Sequence, residues 1–323
     1  MFKKILYSIV ITIIILLTTG VLLPREVHVE RSILIQRPTS TVFTVLNSYR
    51  HFPSWSPWVE RDPAAVTTIS GPARGVGAKM SWRGDPRLVG SGWQEITESK
   101  AHELVSMHLE FDQQGSANAY YAMEATASGT RFTWGFDTDL VAGQGGFRGL
   151  LARYFGLFFD RWIGADYELG LGRLKALVES MPAADFSDLD VAQVEATSYD
   201  ILYVSTTHAG DPADTSPDLG AAYREIAAFM ALHAIERAAQ PMAITRVGGT
   251  GQYELEAAIP VVLKDIDPTD RVRWGRSPAG QALRVTHHGA YADLARTYEQ
   301  LSAWSAAHGV AAGPVSWEHY ISC

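Results

Sequence analysis

Ile5 to Leu23 runs nineteen residues without a charge, broken only by Tyr7, Ser8, Thr12, Thr18, Thr19 and Gly20, and it follows Lys3 and Lys4. A spanning helix needs about 20 mainly apolar residues, so this run is long enough. It ends in Val21-Leu22-Leu23-Pro24-Arg25, which lacks the small-x-small pattern of a cleavage site. The pattern predicts an uncleaved transmembrane anchor over residues 1–26. Lys3 and Lys4 put the N-terminus in the cytoplasm and everything after Pro24 outside it, although Arg25 and Arg31 weaken the asymmetry.

Beyond the anchor the period changes. Val27 to Ile35 alternates as a strand, and a helix begins at Pro38 with Val42, Phe43, Val45 and Leu46 turned inward. "HFPSWSPWVE" reads as a packed loop. "AKMSWRG", "SGWQEITES", "ELVSMHLEF", "AYYAMEAT" and "TRFTWGFDT" read as strands separated by Gly, Asp and Ser turn signals. Phe147 to Ser180 reads as one long amphipathic helix, with Leu151, Tyr154, Phe155, Phe158, Phe159, Trp162 and Ile163 crowding one side. Residues 27–180 thus form an α+β domain. "SMPAADFSDLD" has no period and marks a linker over 181–190.

The remainder, 191–323, repeats itself. Thr207-His208-Ala209-Gly210 and Thr286-His287-His288-Gly289 share the pattern Thr-His-x-Gly, each after a strand-like run. The helices that follow also match: Tyr223 with Tyr298, Ile226 with Leu301, Phe229 with Trp304, His233 with His308. A duplicated strand-helix-strand-strand unit is the simplest reading. The first copy carries both "PMAITR" and "YELEAAIPVV", whereas the second stops after "GPVSWEHYIS". The counterpart of that last strand is not seen after it, so either the chain is truncated or the sheet is expected to have an open edge.

Composition narrows the function. With 47% hydrophobic and 19% charged residues the chain is globular, and its 323 residues suit about two domains. A formal charge of -8 speaks against a nucleic-acid partner. The one cysteine, Cys323, permits no internal disulfide. His102 and His108 read as strand residues six apart, on one face if both belong to one strand, and neither has a metal-type cluster near it. Adjacent strand residues point to opposite faces, so His287 and His288 do not easily share one ion. No metal and no cofactor is expected. His287, with its counterpart His208, is assigned to the turn, and His288 stays open as a rim residue.

Two resemblances add to this. The segment with "RPTSTVFTVLNSYRHFPSWSPW", "GWQEITE" and "YFGLFFDRWIGADYELGLGRLKALVE" resembles the polyketide cyclase/START-like (SRPBCC) superfamily. That resemblance implies a helix-grip domain, a curved sheet wrapped around its C-terminal helix with a deep apolar cavity. Trp82, Trp93 and Trp134 are the candidates to line it, among a set that includes Trp55, Trp58 and Trp162. The repeat, with "RVTHHGAY" and "GPVSWEHYIS", resembles the GyrI-like small-molecule-binding domain of AraC- and MerR-type regulators. It implies a cleft walled by aromatics, with a glutamate facing bulky cations. That glutamate corresponds to Glu318 and the Gly-x-Tyr tyrosine to Tyr291; Tyr320, Trp304 and Glu256 complete the candidate ligand set. Alternation puts Glu318 and Tyr320 on one face and Trp317 and His319 on the other. The segment before the repeat has no helix-turn-helix pattern, so a transcription factor is rejected. Three readings follow: a membrane-anchored binder of hydrophobic, cationic small molecules or lipids; a hydrolase of reactive xenobiotics using Glu318 and Tyr291; and a structural membrane-assembly partner.

Overall fold

The computed structural model describes residues 2–112, 115–142, 146–209, 219–248, 252–264, 266 and 271–321. Gly210, most of the loop "DPADTSPDLG" and Cys323 lie outside them. The chain divides into two compact units, Met1–Ser187 with Ala303–Val310, and Asp188–Ser302 with Ala311–Cys323.

The first unit opens with helix α1 (Phe2–Leu22), which by length and composition is apolar enough to cross a membrane. Strand β1 (Glu26–Ile35) follows, then α2 (Thr39–Leu46). The Pro- and Trp-rich stretch is not a loop but two short helices, α3 (Phe52–Trp55) and α4 (Pro57–Arg61). Proline in the first turn gives up an N–H that has no helical partner anyway, and the Ser56 hydroxyl accepts a bond from the Trp58 N–H at the start of α4.

Strands β2 (Val66–Ser70), β3 (Lys79–Arg83), β4 (Ser91–Lys100), β5 (Leu104–Phe111), β6 (Gly115–Thr126) and β7 (Gly129–Asp139) form a meander, and β1 pairs with β7. All pairs in this seven-stranded sheet are antiparallel. β2, at the edge of the sheet beside β3, has no buried residue. His102 sits in the turn between β4 and β5 with φ 63°, not in a strand, so it does not share a face with His108.

Helix α5 (Gly146–Glu179) lies on the sheet and gives a helix-grip-like arrangement. Apart from Gly149, its buried residues lie in its second half: Gly164, Tyr167, Gly170, Leu171, Leu174 and Val178. The aromatic first half differs. Leu151, Phe155, Phe158 and Trp162 are exposed, because the residues that turn toward β1 and the β7 end there are small ones such as Gly156, against Val27 and Leu140. Gly164 serves a second contact. A Cβ there would collide with the Arg31 guanidinium, which crosses the helix to bind Asp160 and Glu168.

The second unit is also α+β. A five-stranded antiparallel sheet runs β12 (Arg273–Arg276), β9 (Asp200–Ala209), β11 (Gln252–Pro260), β10 (Met242–Val247), β14 (Val315–His319). A separate pair joins β8 (Ala192–Ala196) to β13 (Gly280–Arg284). Asp200 faces Arg276 and Ala196 faces Gly280, four residues on in each strand, so the two ladders keep one register across a short break. Ser277 bridges the break: its N–H bonds to the Tyr199 carbonyl and its hydroxyl accepts from the Tyr199 N–H. Helix α6 (Gly220–His233) packs Ala222, Ile226 and Phe229 onto Leu202, Val204, Ala257 and Ile259. A 3-10 turn (Tyr291–Asp293) leads into α7 (Leu294–His308). β14 lies at the edge of the sheet, beside β10.

Candidate functional site

The period-two geometry of a strand sorts the second unit's acids by face. On one face Ile201, Met242, Ile244 and Ala258 pack with Trp317. On the other, Ala243, Tyr253 and Leu255 pack with Tyr320. Glu318 lies opposite Ala243 and so shares the second face with Tyr320. Glu256 lies opposite Ile244 and shares the first. The structure therefore does not bring Glu256 and Glu318 together.

Glu318 is wrapped in phenols. Tyr298, from α7, donates to Glu318 Oε1 at 3.0 Å, and Tyr320 donates to Oε2 at 3.1 Å. Tyr291, on the 3-10 turn, is within interaction range of both Glu318 and Tyr320. Tyr223, from α6, donates to the Met242 carbonyl at 2.8 Å and meets Tyr320 edge-on at 6.4 Å. Burial first, then the charge of Glu318, pushes the phenols of Tyr223, Tyr298 and Tyr320 above the usual tyrosine range, and Tyr291 moves the same way for the same two reasons. Phenols held protonated are donors and general acids, not bases. Among the described residues no cationic side chain pairs with Glu318. Glu318 is half-buried, while Tyr291 is exposed, so the cluster opens to solvent on that side.

Sequence reasoning missed Tyr298 and Tyr223. The signal was present, since the two occupy matched positions in the repeated helices, but only the fold turns both toward β14.

Other candidates stand elsewhere. Glu256 is buried and bound to Arg246 at 2.9 Å, which satisfies its charge. Trp304 is buried, stacks on His308 at 3.8 Å, and belongs to the stretch that groups with the first unit. His287 lies beyond the end of β13, in a turn and not a strand: Nδ1 pairs with the Thr297 hydroxyl and Nε2 with the Ala290 carbonyl. His288 is exposed. Among the described residues no group of three or more His, Cys, Asp or Glu could hold a metal ion.

In the first unit the three tryptophans separate. Trp134 is part of a packed aromatic cluster, stacked on Tyr167 at 3.8 Å and touching Trp55, Trp58 and Tyr121. Trp93 is on the outer face, with Lys79 over its ring at 3.6 Å and His108 alongside. Trp82 faces inward near Phe111 and donates to the Val89 carbonyl at 3.2 Å. An open concavity of about 390 Å³ is lined by Arg37, Pro38, Thr126 and Gly129, and by none of these tryptophans. The interior does hold unused polar groups: Tyr49 Oη, Trp55 Nε1 and Gln94 Nε2 are buried with no hydrogen-bond partner among the described residues. Each such orphan costs about 1–3 kcal/mol of desolvation.

This geometry meets the comparisons at one point. Residues 26–179 match the family "Polyketide cyclase / dehydrase and lipid transport". The match spans just under half the chain and stops short of the second unit. No curated protein matches the chain. Solved structures similar to it include a protein of unknown function from Staphylococcus aureus, at 14% identity and TM-score 0.39, covering 48% of this chain and 94% of that one. An aromatase/cyclase from a Streptomyces species has 13% identity and TM-score 0.35, covering 48% and 94%. Aha1 from Colwellia psychrerythraea has 14% identity and TM-score 0.31, covering 47% and 96%. At such scores these likenesses carry nothing about ligand or activity.

Proposed function

We propose that the protein is a membrane-anchored binder of hydrophobic small molecules or lipids, and that its second unit selects cationic ones at Glu318. The observation that carries this is the Glu318 carboxylate, held by two phenols and with no cationic partner among the described residues. Phenol donors solvate a carboxylate but leave its charge in place. A ligand that brings a cation supplies the missing charge, and the surrounding tyrosine rings attract it further by cation–π contact. The apolar α1 supports the anchor. The family match of residues 26–179 supports hydrophobic ligand binding by the first unit, where Tyr49, Trp55 and Gln94 offer a polar end of a ligand its hydrogen bonds.

Three features support reading residues 191–323 as a duplicated, GyrI-like domain. The β8–β13 and β9–β12 ladders share one register. Matched aromatic–histidine contacts recur four residues apart in the two helices, Phe229 on His233 at 4.5 Å and Trp304 on His308 at 3.8 Å. The matched Tyr223 and Tyr298 both come within electrostatic reach of Glu318.

The test is a thermal-shift screen of the full chain in detergent, against cationic aromatic dyes and uncharged analogues of the same shape. Cationic members are expected to stabilise the second unit by about 2.7 kcal/mol at a hundredfold excess over Kd. Equal shifts for charged and uncharged dyes would reject the site at Glu318. Turnover of a dye by the parent chain, lost in Glu318→Gln or Tyr291→Phe, would mark a hydrolase instead.

A further inference from the structure

We infer that the first half of α5 enters the membrane interface beside α1, so that the protein holds the bilayer through two helices; this rests on the reading of α1 as an anchor. Phe147, Leu151, Phe155, Phe158 and Trp162 are all exposed. Their spacing of four, four, three and four residues puts them in one stripe along the helix. The stripe covers the half of α5 before Gly164, where its residues stop facing water and begin to pack on the sheet.

The neighbour of this half is α1. Gly20 leaves no room for a Cβ, which would lie 2.7 Å from Leu150 Cδ1 and 2.8 Å from Tyr154 Cε2. Tyr154 donates to the Leu16 carbonyl at 2.6 Å. The Arg153 guanidinium binds the Val21 and Leu23 carbonyls, the open C-terminal end of α1. These contacts fix α5 against the last turns of the apolar helix, so the level at which α1 leaves the hydrocarbon is also the level of Leu150. Wherever α1 spans, Phe147 and Leu151 are carried into the interface with it.

The chemistry of the stripe fits lipid. An interfacial helix buries its apolar face about 5–10 Å below the head groups and keeps cations at its flanks. Arg161 is exposed near the outer end of the stripe, suited to anionic head groups, and Trp162 beside it stands where an aromatic belt would. Phe147 and Trp162 are about 22 Å apart along the axis, so insertion is graded. Phe147 and Leu151 go deepest, Phe155 and Phe158 lie at the head groups, and Leu169, exposed further along the same helix, remains in water.

The test uses single cysteines in the full chain with Cys323→Ser, reconstituted into vesicles of phosphatidylcholine and phosphatidylglycerol and labelled with bimane. Labels at Ile13→Cys, Phe147→Cys, Phe155→Cys and Leu169→Cys are read against lipid carrying a nitroxide midway along its acyl chain. The expected result is strong loss of emission at 147, smaller loss at 155 and none at 169, with position 13 reporting on α1 itself. Loss at 13 with none at 147 and 155 would leave the anchor standing and overturn the inference. No loss at any position would reject the anchor and the inference together. Loss at 155 caused by a nitroxide-labelled second copy, and not by labelled lipid, would make the stripe a protein interface and overturn the lipid assignment.

Discussion

Glu256 and Glu318 belong to the same five-stranded sheet, on opposite faces, and their surroundings give them opposite roles. Glu256 lies among Ile244, Ala258 and Trp317 and meets a guanidinium at 2.9 Å. Its charge is cancelled within the fold. Glu318 meets two phenols at 3.0 and 3.1 Å, and its charge is solvated but not cancelled. Both acids are therefore satisfied as hydrogen-bond acceptors, yet among the described residues only Glu256 has a cationic partner. An acidic residue in a strand becomes a ligand candidate through what faces it.

That contrast can be broken at several points, the largest effect first. Arg246→Ala leaves the Glu256 carboxylate buried and unpaired, and breaking a buried pair costs about 3–5 kcal/mol. Denaturant unfolding of the second unit should show a loss near the lower end, because the Arg246 side chain is itself 38% exposed. A loss no larger than that of a surface substitution would make Glu256 a solvated acid like any other. Tyr298→Phe removes one charge-assisted bond from Glu318 and should cost about 1.5 kcal/mol. Tyr298→Phe as silent as an exposed Tyr199→Phe would argue that the phenol does not hold the carboxylate.

A pH titration sharpens the same point. The phenols of Tyr223, Tyr298 and Tyr320 are held above their unfolded value by burial and by Glu318. The unfolded chain gives up those protons from about pH 10, whereas the folded unit retains them. The phenols' contribution to stability is thus whole below that pH and falls as pH climbs toward the folded values. Absorbance of tyrosinate should show these phenols ionising late, and in Glu318→Gln they should ionise earlier. Unchanged ionisation in that variant would disconnect the phenols from the acid. The smallest effect is Glu318→Gln on stability alone, within about 1 kcal/mol, since the amide keeps an acceptor for one phenol.

Much of this was legible in the residues. Alternation from Val315 onward is enough to put Glu318 and Tyr320 on one face, and the meander of the first unit follows from its turn signals. Three things were not legible. The convergence of Tyr223 and Tyr298 on β14 depends on how α6 and α7 lie on the sheet, which no local pattern encodes. The exposure of Phe155 and Trp162 reverses the usual sense of an apolar stripe, because Gly156 and Gly164 supply the packing face instead. The tryptophans of the first unit count alike in composition, but strand parity sends Trp93 outward under Lys79 while Trp134 turns inward onto Tyr167.

The central claim is that Glu318 is a charge kept for a ligand. Calorimetric titration of the full chain and of Glu318→Gln, with a cationic aromatic dye and its neutral isostere, tests it most directly. The substitution should weaken the cationic dye by about 2–5 kcal/mol, as for a desolvated pair broken on one side, and leave the neutral dye nearly unchanged. Small and equal losses for the two dyes, within the 0–1 kcal/mol or so of an exposed pair, would contradict it.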